Sequence, residues 1–184
     1  MNELSIFLKD KYEKAITLKN KFKKIEKNEW DSLTVLVELN VQIGHVFNVL
    51  NHNEYVDEKN RTWITNMGDE LSDILLQISY LIHLENITID LDNYKDYKYD
   101  NLDGISILYG QLSEALLEKY NYRFTKTRAG FNDIDEFIKD RITKIMLICF
   151  NYAIYNNIDL NKEFDLMYED ATNFIEKKTA NGNN

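Results

Sequence analysis

The stretch Asp69-Glu70-Leu71-Ser72-Asp73-Ile74-Leu75-Leu76-Gln77-Ile78-Ser79-Tyr80-Leu81-Ile82 carries the clearest periodicity in the chain. Leu71, Ile74, Leu75, Ile78, Leu81 and Ile82 recur at three- and four-residue steps. That spacing marks one face of an α-helix, not the alternation of a strand. It predicts a helix over about Ile64–Glu85. Strong helical periods recur on both sides of it.

Upstream, residues 3–27 read as a helix with Leu4, Leu8, Ala15, Leu18, Phe22 and Ile25 inward and Lys11 interrupting the stripe. Asp31 or Ser32 can cap the next helix, because a short side-chain oxygen accepts a free first-turn N–H. That helix runs to about Leu50 with Leu36, Leu39, Ile43, Val46, Phe47 and Leu50 inward. Downstream, helices are expected over about Leu102–Tyr120, Asp133–Asn156 and Leu160–Lys177. Their inward sets include Leu108 and Leu112, then Ile142 and Ile145, then Phe164, Met167 and Phe174. The polar stretches His52–Arg61, Asp90–Asp100 and Tyr122–Asn132 read as connections, and Thr179–Asn184 as a disordered tail.

Composition agrees with an all-α bundle. The 184 residues contain no Pro and six Gly, too few turn makers for a many-turned β-sandwich. The length suits one domain, here residues 1–178. A net charge of −9 leaves no surplus of cations for duplex nucleic acid. Cys149 is the only cysteine, so no Cys-based zinc cluster forms. No uninterrupted apolar run reaches ~18 residues, so no membrane span is expected. The charged stretch from Met1 to Lys24 does not read as a secretion signal, and the expectation is a cytoplasmic protein.

The chain also aligns with itself. A shift of 71 residues puts Leu71 on Ile142, Ile74 on Ile145, Leu75 on Met146, Ile78 on Cys149 and Ile87 on Ile158. A shift of 69 puts Leu39 on Leu108, Gln42 on Gln111, Ile43 on Leu112 and Phe47 on Leu116. Two related helical hairpins are expected, residues 31–86 and 100–157, flanked by an N- and a C-terminal helix. Such hairpins can pack face to face about a pseudo-twofold axis.

Glu70 and Asp73 lie three apart on one helix and flank its apolar stripe. Paired acids at the edge of a core repel unless a cation or a donor lies between them. A hard divalent cation is one answer. A solvated acidic first turn, favoured by the helix dipole, is the other.

The run Asp69–Asp73, the leucine-rich stripe after it and Leu84-Glu85-Asn86-Ile87-Thr88-Ile89-Asp90 resemble the third helix of MazG-like nucleotide pyrophosphohydrolases, the all-α NTP pyrophosphatases. Members of that family carry an E-x-x-E pair on one helix and an E-x-x-D pair on the next. The four acids hold Mg²⁺, and water attack on a nucleoside triphosphate gives the monophosphate and pyrophosphate. The resemblance implies that Glu70 and Asp73 bind Mg²⁺ or Mn²⁺ as the second pair, with Glu38 in support as the third catalytic acid. The first pair departs from the pattern. In Val37-Glu38-Leu39-Asn40-Val41-Gln42-Ile43-Gly44-His45, Val41 stands three after Glu38 and Leu39 three before Gln42. Glu38, Gln42 and His45 nevertheless share a helix face.

Gln42, His45, Gln77, Lys95 and Lys98 are the candidates for substrate contact, with Arg61 a further cation that could meet phosphate. The second hairpin has diverged further. Gln111 stands in place of an acid, and the 71-residue shift puts Arg141 and Lys144 where Glu70 and Asp73 stand. Two cations bind no metal, so salt bridges from Glu114 or Glu118 to Arg141 or Lys144 are expected there instead. The incomplete acid set leaves a second expectation, a relative that binds a nucleotide or a protein partner without hydrolysis. Family members commonly dimerise, which implies a homodimer unless the internal repeat replaces the partner chain.

Overall fold

The computed structural model describes residues 3–52, 66–91, 94, 101–122 and 133–181. Six helices account for about four-fifths of them: α1 (Glu3–Phe22), α2 (Ser32–His52), α3 (Met67–Leu84), α4 (Asp103–Lys119), α5 (Ile134–Tyr155) and α6 (Leu160–Asn181). The protein is an all-α helical bundle. Helix α3 is its axis, packing on α1, α2, α5 and α6. Every residue from Ile74 to Ile82 is buried, including Gln77, Ser79 and Tyr80. A helix covered on all sides has to be apolar nearly all round. Its two serines fit because they back-bond along the helix, Ser72 Oγ to Gly68 O and Ser79 Oγ to Leu75 O.

Helices α2 and α3 pack as one hairpin and α4 and α5 as another, with α2 against α4 and α3 against α5. The 71-residue shift also matches local features of α3 and α5. Thr143 Oγ1 donates to Lys139 O as Ser72 Oγ does to Gly68 O. Both helices end on a left-handed asparagine, Asn86 at φ 53° and Asn157 at φ 56°, followed by an isoleucine whose N–H reaches back, Ile87 to Ile82 O and Ile158 to Ala153 O. This is the Schellman closure. Helix α4 ends the same way through Asn121. In a chain with few glycines, asparagine is the next residue to tolerate that backbone.

Several boundaries and faces depart from the sequence reading. Helix α1 closes at Phe22 and not near Lys27, its end tightened by Lys24 N–H to Lys21 O and Ile25 N–H to Phe22 O. Its buried stripe is Phe7, Lys11, Ala15, Leu18 and Lys19, so Lys11 belongs to the inward face. The Lys11 ammonium is met by Asp165 at 2.8 Å and Asp10 at 2.9 Å. Helix α6 continues through Thr179 to Asn181, three residues into the expected tail, with Thr179 Oγ1 back-bonded to Ile175 O. Near its end Phe174, expected inward, is exposed, and Ile175 is buried instead. Leu50 is likewise exposed.

By length and composition α2 is apolar enough to cross a membrane over Ser32–Asn51, although polar residues such as Glu38, Asn40 and Gln42 interrupt its apolar run. Its Leu36, Leu39, Ile43 and Val46 are buried in the helical core. Asp31 caps it, accepting from Thr34 N–H at 2.7 Å and Thr34 Oγ1 at 2.8 Å. Arg61, Lys95 and Lys98 lie outside the described residues.

Candidate functional site

Helix α3 starts at Asn66, whose side chain accepts from Asp69 N–H at 3.0 Å. This cap sets the register that sends Glu70, Asp73 and Gln77 along neighbouring rows of the helix. Close approach of α6 to this end requires Gly68, where a Cβ would stand 2.4 Å from Glu163 Cγ.

On α2, Gln42 Nε2 donates to Glu38 Oε1 at 2.9 Å, and Gln42 Oε1 faces His45 Nδ1 at 3.1 Å. Since the amide oxygen is the acceptor there, the ring proton belongs on Nδ1. His45 Nδ1 also lies 3.4 Å from Glu70 Oε2, an ion-pair distance that is long for a hydrogen bond. Glu70 is 2% exposed and its Oε2 has no hydrogen-bond partner. The nearby Glu70 carboxylate, opposed by burial and assisted by Asp73 and Glu38, raises the pKa of His45. Glu38, Gln42 and His45, which share one face of α2, therefore form one connected chain that ends on Glu70 of α3.

Asp73 is pushed up to about 8, first by burial, then by repulsion from Asp69 and Glu70. His45 and Lys19 offset part of that rise. Asp69 rises to about 6, again first by burial, then through Glu70, Glu163 and Asp170. Asp69 and Asp73 thus hold protons well above the usual carboxylate range.

Sequence reasoning missed Lys19. It is 4% exposed, and its Nζ lies 3.8 Å from the Trp30 ring centroid, with Tyr80 at 5.7 Å and Phe22 at 5.8 Å. Burial lowers its pKa to about 8, against the pull of Glu26, Glu38 and Asp73. Its position four after the inward Ala15 was the available signal. Lys19, Trp30, Glu38, Gln42, Asp73 and Gln77 together line a cavity of about 290 Å³ whose far wall includes Met167 of α6. Gln77 is 3% exposed, and its Oε1 has no hydrogen-bond partner.

The residues do not fit the implied Mg²⁺ or Mn²⁺. Among the described residues, no three His, Cys, Asp or Glu side chains group as a metal site. Glu38 and Asp73 line the cavity with Lys19, whereas Glu70 turns to His45. The expected three-acid cage of Glu38, Glu70 and Asp73 is divided between these two environments.

In the second hairpin Gln111 is half-buried and Glu114 exposed. Arg141 and Lys144 both pair with Asp140 of their own helix, Lys144 Nζ at 2.9 Å. The Arg141 guanidinium also covers the Phe137 ring at 4.1 Å. Asp140 accepts from Tyr94 Oη as well, at 3.0 Å, which ties the segment after α3 to α5. Asp140 was not among the expected partners.

Comparison with protein-family models, with curated proteins and with solved structures found no match to this chain.

Proposed function

We propose that the chain is a ligand-binding protein on a helical scaffold resembling that of the all-α NTP pyrophosphohydrolases, without their metal-dependent hydrolysis. The position of Lys19 carries this reading. A buried ammonium shares a cavity with Glu38 and Asp73, two of the acids that the resemblance would give to the metal. A fixed ammonium offsets the local negative charge and repels a divalent cation. Asp73, protonated near neutral pH, is a poor ligand until it loses that proton.

The test is a pyrophosphate-release screen over the common ribo- and deoxyribonucleoside triphosphates with Mg²⁺ and with Mn²⁺. No release above the Glu70→Ala control is expected. Ligand binding, read as thermal stabilisation, is expected to persist in EDTA.

One observation favours a second reading, a divergent pyrophosphohydrolase. The buried Glu70 Oε2 has His45 Nδ1 at 3.4 Å, too long for a good hydrogen bond, which leaves it able to take a further ligand. Metal-dependent release that disappears in Glu70→Ala would establish this reading and end the first.

A further inference from the structure

We propose that the outer face of α2, with the adjoining face of α4, is an interface on which a second copy of this chain packs. Thr34, Val37, Val41, Gly44, Asn48 and Asn51 follow one another at alternating steps of three and four. That is the period of a seam between two helices. In the single chain the seam faces solvent. Val37 is 65% exposed and Val41 42%, and Ile107 on α4 is 63% exposed. Helix α2 packs on α4, and Tyr120 Oη donates to Ser32 Oγ at 3.3 Å, so the end of α4 meets the start of α2. Gly44 sits in the middle of the seam, although glycine weakens a helix interior. A Cβ there would meet nothing within 4 Å, so the chain's own packing does not require the glycine. Close approach of another helix does.

Charge selects the occupant. Between Thr34 and Asn51 only Glu38 and His45 can ionise, and both are held in the chain of contacts that ends on Glu70. In a protein of net charge −9, an uncharged face is where a second copy can approach with least repulsion. A basic partner would be drawn to the acidic faces instead. Helices that lie on membranes carry Lys or Arg beside their apolar stripe, and α2 has neither. The area is sufficient. Helices of 21 and 17 residues, at about 1.5 Å per residue and about 10 Å across, present roughly 570 Å² per copy. Two copies then bury roughly 1,100 Å², just above the roughly 1,000 Å² that a specific interface needs. None of the seam residues lines the cavity beside Lys19, so this surface stands apart from the ligand-binding reading.

The experiment is sedimentation equilibrium of the full chain over a concentration range of about 1–300 μM. A reversible rise in mass from 21.9 kDa towards twice that value is expected. An interface of this size fits a dissociation constant of about 10–100 μM. Val41 lies near the middle of the seam, so in a twofold contact Val41→Lys brings two ammonium groups together. It should weaken the dimer about tenfold or more, with the Tm of the dilute monomer unchanged. Gly44→Leu should raise the Tm of the dilute monomer, because leucine favours the helix, yet weaken the dimer about tenfold or more by blocking close approach. A single monomeric mass across the range, or a dimer unchanged in folded Val41→Lys and Gly44→Leu, overturns the proposal. Binding to neutral phosphatidylcholine vesicles that Val41→Lys abolishes, in a chain that stays monomeric, also overturns it and gives the face to a membrane.

Discussion

Lys19 Nζ stands 3.8 Å from the centroid of Trp30, and this pair closes one wall of the cavity that Glu38 and Asp73 share. The ammonium comes from α1 and the ring from the segment between α1 and α2. A cation over an aromatic face recovers part of the solvation it loses on burial. The cation therefore remains beside the acids as a fixed part of the protein.

The first prediction concerns pH. Folded Asp73 holds its proton to about 8, whereas in the unfolded chain it releases it near 3.8. Between those values the folded state binds the extra proton, so this contribution to stability is full below pH 4 and is lost as pH rises towards 8. Asp69 acts in the same direction up to about 6, and the raised His45 does so as pH passes its own pKa. Lys19 acts oppositely, because its folded pKa of about 8 lies below the ordinary 10.5, and stability recovers between those values. Asp73→Asn should flatten the fall and be more stable than the parent at pH 8, on the order of 1 kcal/mol or more, at about 2–4 °C of Tm per kcal/mol. Thermal unfolding from pH 4 to pH 10 checks it. Parallel curves for parent and variant would contradict the assignment.

A second prediction concerns helix ends. Asn86 sits at φ 53°, where a β-branched residue is strained. Asn86→Val should cost about 1–2 kcal/mol, and Asn86→Gly should be neutral or slightly stabilising. Asn157, at φ 56°, should respond with the same signs. Urea unfolding of the four variants measures both.

A third prediction concerns the start of α3. A Cβ on Gly68 would lie 2.4 Å from Glu163 Cγ and 3.0 Å from the capping Asn66 Oδ1. Gly68→Ala should therefore destabilise by about 1–3 kcal/mol despite its better helix propensity. In a Glu163→Ala background the obstructing carbon is gone, so the same substitution should cost little or stabilise. A double-mutant cycle by chemical unfolding reads the coupling. An unchanged effect in the two backgrounds would refute the close contact.

The parts of this molecule legible in the sequence are those that depend on local period. The α3 stripe, the cap at Asp31 and the shared face of Glu38, Gln42 and His45 need only helical spacing, and the structure joins those three side chains. Glu70 and Asp73 share a helix face as well, but Glu70 turns to His45 and Asp73 to the cavity. Long-range relationships were not legible. Lys11 reads as an interruption until Asp165, far along the chain, reaches it. Lys19 stands out only once the segment after α1 lays Trp30 against it. Phe7 escapes a stripe drawn through Leu4 and Leu8, because Phe150 and Phe164 of other helices enclose it, at 5.9 and 6.0 Å between ring centroids. The 71-residue shift placed cations at Arg141 and Lys144, but it carried no information about Asp140, which both of them meet.

The central claim is that the protein's own ammonium, and not a metal, answers the acids of α2 and α3. Titration with Mn²⁺, read by the relaxation of water protons, tests it most directly. At neutral pH the parent chain is expected to show no site tighter than about 1 mM, with no difference between parent and Glu70→Ala. A micromolar Mn²⁺ site in the parent that vanishes in Glu70→Ala would contradict it.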